Sequence, residues 1–336
     1  SGGGVYTMGG SIIQSGGTIE SNSAATGGGV YVNLPEASYT LNEGFVEGNN
    51  ATALETGGGG VYVAHGTATI NGGQILNNTS LRGGGVQSAN GQIFLNGGTV
   101  SGNQAQYGGG IYLTFPDSNL TQSGGVISGN SSLADDFGGG GVYAFQGSVE
   151  ISGGLIEQNT AVFDGGGVNI RFGTFTLTGG NFLNVQAGNR GGGICTDQST
   201  VSLTNSQLGN NDAASGGGLY LNTVGVLNLA QTAVFSNTAT ANGAGLLLRG
   251  SAQITNATIS SNQAQTAGGG LWTDSTSAAL DNVTMSQNTA VTGGGILSSG
   301  AAVTIHNSLL AGNSATNGPN CSGSLTSNGY NLVQNS

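Results

Sequence analysis

The chain has 336 residues, and only 6% of them are charged, against roughly a quarter in an ordinary globular domain. It contains no Lys, only Arg82, Arg171, Arg190 and Arg249 as strong bases, and a formal net charge of -11. Such a chain cannot neutralise a row of phosphates, which argues against nucleic acid and against anionic membrane surfaces as partners. No apolar run reaches the roughly 18 residues of a membrane-spanning helix. Gly accounts for 68 residues, but it does not recur every third position as in collagen. Aliphatic residues recur at fixed places, which a disordered chain has no need for.

In chain order, a Gly-rich turn runs into a short β-type segment again and again. Gly27-Gly28-Gly29-Val30-Tyr31-Val32 is the clearest copy, with others from Gly2, Gly57, Gly83, Gly108, Gly138, Gly165, Gly191, Gly216, Gly268 and Gly293. A weaker one is Gly243-Ala244-Gly245-Leu246, and the spacing runs from 25 to 31 residues. A period this regular is the mark of a repeat architecture, which grows along one axis without splitting its core.

Within one coil, Gly83 to Gln106, the sequence reads as three short strands and three corners. The residue after the glycines is aliphatic in every copy (Val5, Val30, Val61, Val86, Ile111, Val142 and on) and points inward. Its neighbour, often Tyr, takes the opposite face because strand side chains alternate. The third strand carries an aliphatic residue three positions before an Asn, as in Ile75–Asn78 and Val100–Asn103, and these Asn side chains are placed to form a ladder. Phe182-Leu183-Asn184-Val185 departs from that register, which predicts a local irregularity. The middle corner uses Gly-Gly early (Gly72-Gly73) and Asn later (Asn205-Ser206, Asn256-Ala257), both suited to positive φ. The two 31-residue coils carry surface insertions around Leu34-Pro35-Glu36 and 49–56, and around Phe115-Pro116-Asp117 and 133–137.

A propeller blade needs about 40 residues and a leucine-rich repeat a fixed Leu lattice. The repeat is poor in helix formers. The expected fold is therefore all-β: one right-handed parallel β-helix over residues 1–336, about 25 residues per coil and about twelve or thirteen coils, on the order of 60 Å long at about 4.8 Å per coil. Cys195 and Cys321 lie about five coils apart, too far for a disulfide.

The stretch Val100-Ser101-Gly102-Asn103-Gln104-Ala105-Gln106-Tyr107-Gly108-Gly109-Gly110-Ile111-Tyr112 resembles the repeat of the polymorphic outer membrane protein family, with Ile, Val or Leu in place of its Phe and Gly in place of its Ala. The tail from Gly318 to Leu332 is similar to the end of the β-helix in bacterial choice-of-anchor surface proteins. These resemblances imply a secreted or surface-displayed bacterial protein with adhesive or structural duties, and no catalytic residue. Ser1 is not an initiator Met, and no signal-like segment opens the chain, so it reads as a mature product or part of something longer. Open coil ends are templates for other strands, which makes a longer precursor or head-to-tail self-association into filaments the expectation.

Many β-helices degrade polysaccharides, so an enzyme is the rival class. Asp135, Asp136 and Asp164 fall near one corner of consecutive coils and form the best acidic cluster. Its readings are a catalytic pair, a weak Ca²⁺ site, or solvated loop carboxylates. His65 and His306 lie about ten coils apart and cannot share a metal or a triad. Tyr6, Tyr31, Tyr62, Tyr112 and Tyr143 form an outer aromatic row interrupted at Gln87. It is either a ladder that stiffens the sheet or a platform for glycans or a partner cell surface. The sequence thus predicts a non-enzymatic extracellular or cell-surface protein without a required cofactor, with a polysaccharide-binding or polysaccharide-degrading β-helix as the alternative.

Overall fold

The computed structural model describes residues 2–274 and 277–334. It is all-β, with no helix among the described residues. Parallel strands stack as a β-solenoid of about 13 turns, roughly 26 residues per turn. Two compact units make up the chain, Ser1–Phe175 and Thr176–Ser336.

In the first unit, the strands that follow the glycines pair in the register the repeat predicts. Val5, Val30, Val61, Val86, Ile111, Val142 and Val168 form one row. From Val30 to Val168 they are at most 1% exposed. The triple glycine has a steric cause. Gly83 has φ +61°, a left-handed conformation that side chains disfavour. A Cβ on Gly84 would meet the Gly109 carbonyl oxygen at 2.5 Å, and one on Gly85 would meet that of Gly110 at 2.7 Å. Coils can approach closely enough to hydrogen-bond here only where side chains are missing.

The third strands hold Ile19, Val46, Ile75, Val100, Ile127 and Ile156 in a second inward row. Three residues on, the expected ladder is present. Each of Asn22, Asn49, Asn78, Asn103 and Asn130 donates Nδ2 to the Oδ1 of the Asn one coil later, at 2.9–3.0 Å. The same Oδ1 accepts the backbone N–H of the earlier Asn at 2.9–3.0 Å. The second Nδ2 hydrogen of Asn49 through Asn159 reaches the carbonyl of the aliphatic row one coil back. Asn49 through Asn159 are fully buried. The ladder therefore supplies partners for buried backbone groups that turn out of the sheet at this corner.

Just past the ladder, residues read from sequence as plain corner form a fourth, two-residue strand. Gln104–Ala105 pairs with Ser131–Ser132, and that with Thr160–Ala161. Ala105 and Ala161 are buried, so this strand closes the coil with its smallest side chains.

The second unit repeats the plan. Ile194, Leu219, Leu246, Leu271 and Ile296 form its inward row. Asn211, Asn237, Asn262, Asn288 and Asn313 hold the ladder positions. The irregularity expected at Phe182–Val185 takes a different form: the register is kept. Phe182 pairs with Leu208 in the aliphatic row. Asn184 is the left-handed corner residue at φ 55°, and buried Val185 occupies the ladder position with its N–H on Asn211 Oδ1. Middle corners bear out both chemistries, with Gly73 at φ 65° and Asn205 and Asn256 at 51°. Cys195 and Cys321 form no disulfide.

Replacing Asn103 by Ala leaves the Asn78 amide and the Ile75 carbonyl buried without their partner. The expected loss is about 3 kcal/mol. Asn71, which bonds Asn42 and Asn96 on the exposed surface, should cost within about 0.5 kcal/mol when made Ala. Urea unfolding of the two variants checks the difference.

Candidate functional site

The Tyr row follows from the same register: Tyr6, Tyr31, Tyr62, Gln87, Tyr112 and Tyr143 are successive partners. Ring centroids are 5.0 Å apart for Tyr6–Tyr31, 5.1 Å for Tyr31–Tyr62 and 5.2 Å for Tyr112–Tyr143, the last pair stacked at 15°. The row is not open surface. Tyr6 is 42% exposed, but Tyr62, Tyr112 and Tyr143 are at most 5% exposed. Tyr62 packs with Ala64, Ala89 and Tyr31 into a small core of its own. The side chains alternate away from the aliphatic stack as expected, yet neighbouring segments cover most of them. Gln87 is a polar tie in the row: its Oε1 accepts the Gly57 N–H, and its Nε2 donates to Thr114 Oγ1 at 3.2 Å.

The first unit holds a cleft of about 390 Å³. Its walls come from the two insertions and the end of the Tyr row. Glu55 of the first insertion, Phe115, Asp136 and Phe137 of the second, and Tyr112 and Tyr143 of the row are among its lining residues. Arg82 lines the cleft and binds Glu55 Oε2 through Nη1 at 2.7 Å, while its guanidinium lies 5.9 Å from the Tyr112 ring centre. Arg82 Nε is buried with no hydrogen-bond partner among the described residues. Tyr107 pairs with Arg82 across the coils and donates its hydroxyl to Asp136 at 3.2 Å. Asp136 also accepts the Phe137 N–H at 2.8 Å. Arg171 stacks on Phe137 at 3.6 Å, a cation–π contact that fixes this wall.

The three residues of the acidic cluster differ in burial. Asp135 and Asp136 are exposed, whereas Asp164 is 1% exposed. Among the described residues, no three His, Cys, Asp or Glu side chains are placed to hold a metal ion. The repeat places Asp164 next to a glycine turn, and there its backbone carbonyl accepts the Gly139 N–H inside the stack. His306 bonds Asp281 at 2.8 Å, far along the chain from the cleft. The sequence marked the insertions as decorations but did not single out Glu55, Arg82, Tyr107, Phe137 or Phe145 as one group. The available signal was the coincidence of both long coils with rare Arg and clustered aromatic residues.

Burial shapes the protonation of the row. Tyr62 is pushed up to about 12 by burial, with a smaller contribution from Tyr31. Tyr143 is likewise pushed up to about 12 by burial, against the opposing hydrogen bond and charge of Arg171. Burial also raises Tyr112 and Tyr107, the latter further through Asp136. The phenols of the cleft are thus neutral hydrogen-bonding groups at physiological pH. Compared with family models, with curated proteins and with solved structures, the chain shows no match.

Since the fold prefers neutral Tyr62 and Tyr143, it loses stability when they ionise. Their contribution is complete below the unfolded phenol value of 10.0 and falls as pH rises from there through about 12. Each sheds up to about 1.4 kcal/mol per pH unit in that window. Urea midpoints measured from pH 8 upward should hold level to about pH 10 and then fall, with the phenolate absorbance appearing late.

Proposed function

We propose that the chain is a non-enzymatic β-solenoid with structural and adhesive duties outside the cell or at the cell surface, and that the cleft of the first unit is its point of contact. The observation that carries this reading is that the ionisable groups of the cleft are already committed to one another. Glu55 is tied to Arg82, and Asp136 accepts from Tyr107 and from the Phe137 N–H. A glycosidase needs two carboxylates poised to exchange protons with substrate and water. The cleft lining contains no Lys, His or Cys. The extracellular setting rests on the resemblance of the repeat to surface-displayed β-helix proteins and on the shortage of charge.

A polysaccharide-degrading enzyme is the second reading, favoured by one observation: Glu55 and Asp136 both face the same cleft. The two readings separate by incubation with neutral and uronate polysaccharides, with and without Ca²⁺. No release of reducing ends above buffer is the expected result. Turnover that disappears in a Glu55→Gln/Asp136→Asn double variant would establish the enzyme instead.

A further inference from the structure

We propose that the cleft of the first unit binds a neutral glycan, one or two pyranose rings at a time. The inference rests on the cleft being a binding site, and it adds the class of ligand. Its volume of about 390 Å³ lies at the small end of the usual range for ligand sites, about 300–1,000 Å³.

The lining decides between classes. Two carboxylates, Glu55 and Asp136, face one Arg82, within a chain of net charge -11. That balance repels uronates and sulfated chains. A cationic ligand would seek the ring faces, but Arg82 already lies by Tyr112, and Arg171 covers Phe137. A neutral sugar matches what is left. Its C–H faces pack on aromatic rings, and its hydroxyls both donate and accept. The cleft lining includes a donor side chain in Arg82 and an acceptor in Asp136. The Tyr107 hydroxyl, whose proton goes to Asp136, adds a second acceptor.

The rim supports the same ligand. Of the ten Phe in the chain, Phe115 and Phe137 sit on the second long coil's insertions and line the cleft with Phe145. Phe145 meets Phe172 edge-on at 5.6 Å, which carries the aromatic surface to the next coil. Phe115 is 45% exposed and Phe172 39% exposed, so apolar ring surface faces water here. Phe172 holds this position at φ 58°, where the preceding coil has the polar Gln146 at 69°. A bulky aromatic residue in a left-handed corner is unfavourable for the fold, and such strain gathers at functional sites.

The test is calorimetric titration of the full chain with maltohexaose, cellohexaose and mannohexaose, alongside hexagalacturonate and choline. At least one neutral hexasaccharide should bind with Kd of about 1 mM or tighter. Phe115→Ala should weaken it about tenfold, while Tyr6→Ser, outside the cleft lining, should leave it unchanged. Phe115 is exposed, so its variant should fold; if circular dichroism shows otherwise, Asp136→Asn serves the same comparison. Binding of none of the three, binding indifferent to the cleft variant, or tighter binding of hexagalacturonate or choline would overturn the proposal. Product analysis of the same mixtures keeps the two readings apart. Shortened chains would contradict the non-enzymatic reading and leave the ligand class standing, whereas absence of binding would contradict the ligand class alone.

Discussion

The structure depends on how closely one coil can lie on the next. The triple glycine and the Asn ladder are two halves of that constraint. At the glycines, adjacent backbones come so near that a Cβ on Gly84 or Gly85 would fall within 2.5–2.7 Å of a carbonyl oxygen. At the ladder, a buried Asn such as Asn103 bonds four backbone or side-chain groups on neighbouring coils. A β-sheet corner ordinarily exposes unpaired N–H and C=O groups, and burying them unpaired is costly. Here the same side chain answers that demand in coil after coil, with Val185 the exception, so the period of the sequence is the period of the hydrogen bonding.

The candidate site is a consequence of breaking that period without breaking the stack. The two long coils add residues beside the glycine strands, and residues of both insertions line the cleft together with Tyr112 and Tyr143. Tyr62, Tyr112 and Tyr143 become a second, smaller apolar layer. At the end of this layer, aromatic residues and the Arg82–Glu55 pair line an opening. All four Arg of the chain lie against aromatic rings: Arg82 by Tyr112, Arg171 on Phe137, Arg190 by Tyr220, and Arg249 by Trp272. In so uncharged a protein, the few cations serve the outer aromatic layer, where ring faces and stem packing hold them.

Much of this was legible in the sequence because register is a one-dimensional property. The inward row from Val30 to Val168, the Asn ladder and the positive-φ corners at Gly73 and Asn205 all follow from counting residues. Counting misled at Asn184, where a ladder-type residue stands one position early. The structure uses it as the left-handed corner and gives the ladder position to Val185. The burial of the Tyr row was not legible, because alternation along a strand reports which face a side chain takes and not what lies over it. The unequal burial of the Asp cluster was not legible for a related reason. Asp164 shares a corner with Asp135 and Asp136 along the repeat, but the insertion lifts the latter two to the surface while Asp164 stays buried.

Native-state hydrogen exchange at the ladder amides tests the central claim most directly. The backbone N–H groups of Asn49, Asn78 and Asn103 each end on a buried Asn oxygen one coil away. If the ladder holds the coils together, these amides open only with the first unit as a whole and exchange as slowly as those of Val61 and Val86 in the glycine strands. Exchange at the rate of the exposed insertion residues, with the strand amides still protected, would show that the corners open on their own and would contradict the account.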